Sequence, residues 1–197
     1  MERKTFRHNK TNSSIRIMNQ IIHPDFNLNG KSFTYIELLA EALYLKENGQ
    51  LFEKEIGKFL LDWLNNESFI FVQTSGSTGI PKQIVLQKSA MIASAKATGL
   101  FFNLQPKNTA LLCLPANYIA GKMMLVRAFI LGLELDILPP TSNLEALLFN
   151  KKYDFVALVP LQVSQNLKLL KQFKKIIIGG AKISNSLSES LQTIDAQ

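Results

Sequence analysis

Between residues 35 and 65 apolar side chains recur every three or four positions. In "SFTYIELLAEALYLKEN" Ile36, Leu39 and Leu43 stand at helical spacing, which predicts an amphipathic helix ending near Gly49. In "FEKEIGKFLLDWLNN" Phe52, Ile56, Phe59, Leu60 and Trp63 share one side, predicting a second helix with an aromatic core face. Beyond Glu67 the texture changes to short apolar runs that alternate with helical patterns. The runs "FIFVQ", "KQIVLQ", "TALLCL", "LELDILP", "YDFVALV" and "KKIIIGG" read as strands. Between them "SAMIASAKATGLFF", "IAGKMMLVRAFILG" and "PLQVSQNLKLLKQF" read as helices, and "SNSLSESLQTI" starts another. Continuously apolar strands alternating with helices predict an α/β fold, a mostly parallel sheet flanked by helices. No internal repeat or low-complexity linker interrupts the scheme.

Composition narrows this picture. A chain of 197 residues with 47% apolar side chains can bury one substantial core. Arg3, Lys4, Arg7, Lys10 and Arg16 make residues 1–16 a basic tail; a solvated end explains it, and so would an arm for nucleic acid or membrane. No interleaved aromatics or repeated basic spacing favour nucleic acid. The single cysteine, Cys113, rules out a disulfide within the chain and sits in a run that reads as buried. His8 and His23 have no metal-ligand spacing, so no protein metal site is expected. The most apolar region, from Thr109 to Leu138, is broken by Pro115, Asn117, Lys122, Arg127 and Glu134 and is not a membrane span. A cytoplasmic protein without a membrane partner is the expectation.

One stretch carries chemistry. "QTSGSTGIPKQIVL" places Thr74, Ser75, Gly76, Ser77, Thr78 and Gly79 directly after an apolar strand and closes on Lys82. Glycines let successive N–H groups turn toward one anion, hydroxyls add donors, and the lysine supplies a mobile charge. A phosphate grip and a plain surface turn are both compatible with these residues. The spacing fits neither a Walker A loop nor a dinucleotide fingerprint.

The string "TSGSTGIPK" resembles the signature loop of the adenylate-forming superfamily of acyl-CoA synthetases, luciferases and peptide-synthetase adenylation domains. "LLCLPANYIAG", "DFVALVPLQVSQNL" and "IIIGGAKISNSL" resemble further segments of that superfamily, in the same order. Within it the short region before the loop, and the later segment "LPANYIAGKMMLVRAFILGL" with Pro115, Gly121, Arg127 and Gly132, are similar to the o-succinylbenzoate–CoA ligases of menaquinone biosynthesis. The superfamily usually has a histidine where this chain has Tyr118.

The resemblance implies a helical N-terminal region over residues 17–68 and a nucleotide-binding α/β core over 69–197. It also implies that the chain is the N-terminal part of a longer enzyme, whose exposed apolar surface would allow a homodimer. The implied reaction has two steps: a carboxylate attacks the α-phosphate of ATP, and CoA then displaces AMP. ATP, Mg²⁺ and coenzyme A are therefore the implied small molecules. Thr74, Ser75, Gly76, Ser77, Thr78, Gly79 and Lys82 would cradle the pyrophosphate portion, with Lys82 and Thr74 acting in catalysis. Gly179, Gly180 and Ala181 would lie beside adenine, and Tyr118, Gly121 and Lys122 would serve the acid. Lys122 and Arg127 are equally readable as structural cations. The open alternatives are another acyl- or aryl-CoA ligase, an inactive nucleotide-binding fragment and, on net charge alone, a nucleic-acid binder.

Overall fold

The computed structural model describes residues 22–74, 82–145 and 151–192. Helix α1 (Tyr35–Asn48) starts at Thr34, whose N–H donates to Glu37 Oε2 at 2.8 Å while its hydroxyl accepts from the Glu37 N–H at 3.4 Å. This reciprocal cap satisfies two donors of the first turn. Helix α2 (Leu51–Leu64) runs back along it: Tyr35 Oη reaches Leu64 O, and a Cβ on Gly57 would strike the backbone of Ala42 and Lys46. The buried side of α1 is Leu38, Ala42 and Leu45, whereas Ile36 and Leu43 face outward at 78% and 48% exposure. The expected apolar stripe is thus out of phase, because burial follows where α2 lies and not where the largest aliphatic side chains fall. On α2 the expected side holds for Ile56, Phe59, Leu60 and Trp63, which are buried, while Phe52 is only half-buried.

Two short strands, β1 (Asn27–Leu28) and β2 (Lys31–Ser32), precede these helices. Strands β3 (Phe69–Thr74) and β4 (Lys82–Gln87) form a separate antiparallel pair in which Thr74 stands opposite Lys82. The hydroxyl-rich stretch therefore joins two strands of a hairpin. Helix α3 (Lys88–Phe101) follows, then β5 (Thr109–Leu112), α4 (Ile119–Leu131), β6 (Glu134–Ile137), β7 (Tyr153–Leu158), α5 (Pro160–Gln165), β8 (Phe173–Ile178) and α6 (Asn185–Leu191). Between α5 and β8 the chain makes a 3₁₀ helix over Leu167–Gln172. A single helix is expected there, but Asn166 adopts φ −129°, ψ 30° and turns its side chain onto neighbouring backbone, so the α-helix stops. The pattern "NLEALLFN" lies largely outside the described residues.

The main sheet has the order β2-β1-β6-β5-β7-β8, parallel throughout except for the β1–β2 pair. Strand β5 at its centre divides the core by alternation. Ala110 and Leu112 pack with α2, α3 and α4, whereas Leu111 and Cys113 pack with Val163, Leu170 and Phe173 on the other face. The first face is locked by rings: Trp63 lies 6.0 Å from both Phe59 and Phe129, and Phe129 meets Phe26 edge-on at 4.9 Å.

At the amino edge of the sheet Asp154 ties three strands. Its carboxylate accepts the Thr109 N–H at 2.8 Å, the Thr109 hydroxyl at 3.1 Å and Lys174 Nζ at 2.7 Å. Burial pushes this carboxyl up, but Lys174 and the Thr109 donors outweigh it and hold the group below its ordinary value. A depressed folded-state pKa means stability that is present above the unfolded value of about 3.9 and is lost as pH falls through the folded one. Asp154→Asn should therefore flatten the acid limb of stability against pH, checked by urea unfolding between pH 6 and pH 2.

Candidate functional site

Strand order reverses between β5 and β7. The chain leaves β5 through α4 toward β6 on one side, then returns past β5 and leaves β7 through α5 toward β8 on the other. The two helices lie on opposite faces, so the loops after β5 and β7 part at the carboxyl edge and open a crevice between them. Tyr118, Gly121, Lys122, Gly179, Gly180 and Ala181 all belong to segments that follow the carboxyl ends of β5 and β8.

The loop after β5 folds back tightly. The Tyr118 N–H donates to Pro115 O at 3.3 Å, and Tyr118 precedes α4 with its side chain 44% exposed. Gly121 sits so close beneath the turn that a Cβ would lie 2.3 Å from Pro115 O. Lys122 is turned inward: it is buried, its Nζ donates to Ala116 O at 2.9 Å, and it lies 5.2 Å from the centre of the Phe59 ring. Desolvation pushes its ammonium below the ordinary lysine value, only partly opposed by Asp62 and Glu55. Arg127 is half-buried, with Nε on Thr98 Oγ1 at 3.3 Å and its guanidinium 5.9 Å from the Phe155 ring centre.

The turn after β8 is open. The Gly179 N–H donates to Leu158 O at 3.1 Å, and no described residue comes within 4 Å of where a Gly179 Cβ would sit. Gly180 has φ +86°, a left-handed conformation that disfavours any side chain. Its missing Cβ would sit 3.3 Å from Val159 Cγ1, so Val159 backs this turn. A flat ring could approach this backbone closely.

Two residues not singled out from the sequence, Gln162 and Asn166, lie between these loops. Gln162 is 4% exposed; its Nε2 donates to Cys113 O at 3.0 Å and Thr141 O at 2.8 Å, and its Oε1 accepts the Val159 N–H at 3.2 Å. Asn166 accepts the Leu144 N–H at 2.8 Å and donates to Ser142 O and Gln162 O, each at 2.6 Å. The available signal was a polar pair at i, i+4 spacing inside "VPLQVSQNL", on the side that otherwise reads as core.

A cleft of about 380 Å³ lies beside this edge, between Phe52 and Glu55 of α2, Pro115 and Asn117 of the β5 loop, and Pro139. Thr74 ends β3 and Lys82 begins β4, opposite each other on the last rung of the hairpin ladder. Ser75, Gly76, Ser77, Thr78 and Gly79 lie outside the described residues. Among the described residues no three His, Cys, Asp or Glu side chains converge into a metal site, and no helix is long and apolar enough to cross a membrane.

The family model described as AMP-binding enzyme matches residues 28–196. A 2-succinylbenzoate–CoA ligase of Haemophilus influenzae is 30% identical over 125 residues, spanning 60% of this chain and 27% of that ligase. An acyl-CoA synthetase (AMP-forming)/AMP-acid ligase II-like protein from Dyadobacter fermentans aligns over 79% of this chain and 46% of its own, with 34% identity and a TM-score of 0.71. The o-succinylbenzoate CoA synthetase from Bacillus subtilis shares the fold at 13% identity, with a TM-score of 0.66 over 91% of this chain and 56% of its own. The chain thus spans less than half the length of the first two relatives.

The two loops respond differently to an added methyl group. Gly121→Ala forces Cβ into Pro115 O and should cost about 1–3 kcal/mol through overpacking. Gly179→Ala meets nothing and should stay within about 0.5 kcal/mol of the parent. Urea midpoints of the two variants measure both.

Proposed function

The chain belongs to the AMP-binding enzyme family, and on that premise we propose that it serves the ATP-dependent activation of a carboxylic acid and its transfer to coenzyme A. The observation that carries this reading is the pairing of an open Gly179–Gly180 turn with the tightly folded 113–122 loop, either side of the strand-order reversal. Such a crevice suits one molecule made of a nucleotide and an acyl group.

In the first step a carboxylate oxygen of the acid bonds to the α-phosphorus of ATP, and the bond from that phosphorus to the bridging oxygen breaks, releasing pyrophosphate. In the second, the sulfur of CoA bonds to the acyl carbon, its proton is lost and AMP leaves. Charge accumulates on phosphate oxygens in the first step, so positioned donors are what the protein contributes. We assign Thr74, Ser75, Gly76, Ser77, Thr78, Gly79 and Lys82 to the pyrophosphate portion, with Lys82 as the cation and Thr74 as a hydroxyl donor. Mg²⁺ enters with the phosphates of ATP, since this ion keeps few protein ligands. Gly179, Gly180 and Ala181 take adenine. On the acid side Tyr118 offers its hydroxyl at the start of α4, Gly121 permits the tight turn, and Lys122 supports the loop through Ala116 O.

The acid we propose is o-succinylbenzoate, the substrate named for the Haemophilus influenzae relative, which would place the protein in menaquinone biosynthesis in the cytoplasm. A different acyl or aryl acid is the second reading, favoured by the higher identity and coverage of the Dyadobacter fermentans protein.

Thermal unfolding with sulfamate analogues of acyl-adenylates tests the reading. A ligand at about a hundred times its Kd adds roughly 2.7 kcal/mol, a visible shift. The o-succinylbenzoyl analogue should raise Tm more than benzoyl, fatty-acyl or aminoacyl analogues; a larger shift from one of those would reassign the acid. Gly179→Leu, whose Cβ would meet no described residue within 4 Å, should abolish every shift while the unliganded Tm stays near the parent value. Absence of a shift with all analogues and with AMP would overturn the proposal.

A further inference from the structure

Gln162 sits where the strand order reverses, and its one amide group makes three hydrogen bonds to three different segments. Oε1 holds the N–H of Val159, the residue whose methyl backs the Gly180 turn. Nε2 holds Cys113 O, two residues ahead of Pro115 and the folded acid-side loop, and also Thr141 O beyond β6. The side chain is buried at 4% exposure, both its N–H donors are used and its oxygen accepts a third bond, so it cannot shift without breaking a bond to one of the loops. Asn166, one turn later, fixes Gln162 O and the 142–144 backbone, which leaves the amide little room to tilt.

We propose that Gln162 is a positioning residue that aligns the acid-side loop with the nucleotide-side turn, so that the carboxylate and the α-phosphate meet in register. This rests on the functional reading above and adds to it. Binding either half needs only one loop to be formed. Binding both in one molecule needs the distance and angle between the loops to be right, and small errors there are costly, since a misplacement of about 1 Å can lose on the order of 10²-fold in reactivity.

The test uses the full chain and three probes: AMP, o-succinylbenzoate, and the sulfamate analogue that joins them. Two variants are compared with the parent by calorimetry. Gln162→Met removes all three bonds at similar size. Gln162→Glu keeps an acceptor for Val159 and loses both donors to Cys113 O and Thr141 O. The expected result is a loss of about tenfold or more for the joined analogue, with AMP and o-succinylbenzoate each changed by less than about threefold. Proportionate weakening of all three probes, or unchanged affinity for the joined analogue, would overturn the alignment role. If the two variants disagree, the Gln162→Met result decides, because Gln162→Glu also buries a carboxylate against two carbonyl oxygens. Failure of the parent chain to bind AMP or the joined analogue is a separate outcome: it removes the functional reading and the alignment role with it.

Discussion

Backbone carbonyls left at the carboxyl edge of the parallel strands have to be satisfied from inside the protein, and the arrangement of this edge depends on how that is done. The buried polar side chains among the described residues are Lys88, Lys122, Gln162 and Asn166. Three of them donate to carbonyls of the loops at this edge: Lys122 to Ala116, Gln162 to Cys113 and Thr141, and Asn166 to Ser142. An unpaired buried carbonyl costs about 1–3 kcal/mol, so each donor restricts its loop to the conformation in which the pair is made. Polar burial in this protein is therefore concentrated where backbone must be irregular and yet fixed.

The fourth residue does comparable work elsewhere. Lys88 begins α3, directly after β4, and its Nζ lies 2.9 Å from both Trp63 O and Asn65 O at the end of α2. Its own N–H donates to Ser68 O, just before β3. A cation at a helix C-terminus meets the negative end of the dipole, which offsets part of its desolvation. The base of the β3–β4 hairpin is thereby fixed to the end of α2.

Much of this architecture is visible in the sequence because it follows from periodicity. Continuous apolar runs such as "TALLCL" and "YDFVALV" can be buried on both faces only inside a covered sheet, and β5 and β7 are so buried. The helical phase of α1 was not legible, because Ile36 and Leu43 are as apolar as the residues that are buried and only the position of α2 separates them. The hairpin was hidden for a related reason: "KQIVLQ" reads as a strand, but nothing in its pattern says that it pairs with "FIFVQ" and not with the main sheet. At the candidate site, the glycines announce themselves through composition. Gln162 and Asn166 do not, since a glutamine or asparagine on a short helix is usually solvated and only the tertiary contacts make these two structural.

Lys122 shows why side-chain donors, rather than water, suit this edge. An ammonium buried against one carbonyl and one aromatic ring is not the cheapest way to fill that space; an apolar side chain would avoid the desolvation that depresses its pKa. Water could also hydrogen-bond to Ala116 O, yet a water can leave or be displaced when a ligand enters the crevice. A donor tethered to α4 cannot. The helix that supplies Lys122 also supplies Gly121 and packs Phe129 against Trp63, so the loop conformation is coupled to the main aromatic core. Any motion of the 115–118 loop would then have to break a buried polar contact and disturb packing around Phe59 in the same step, which makes the folded-back loop the low-energy state of this fold.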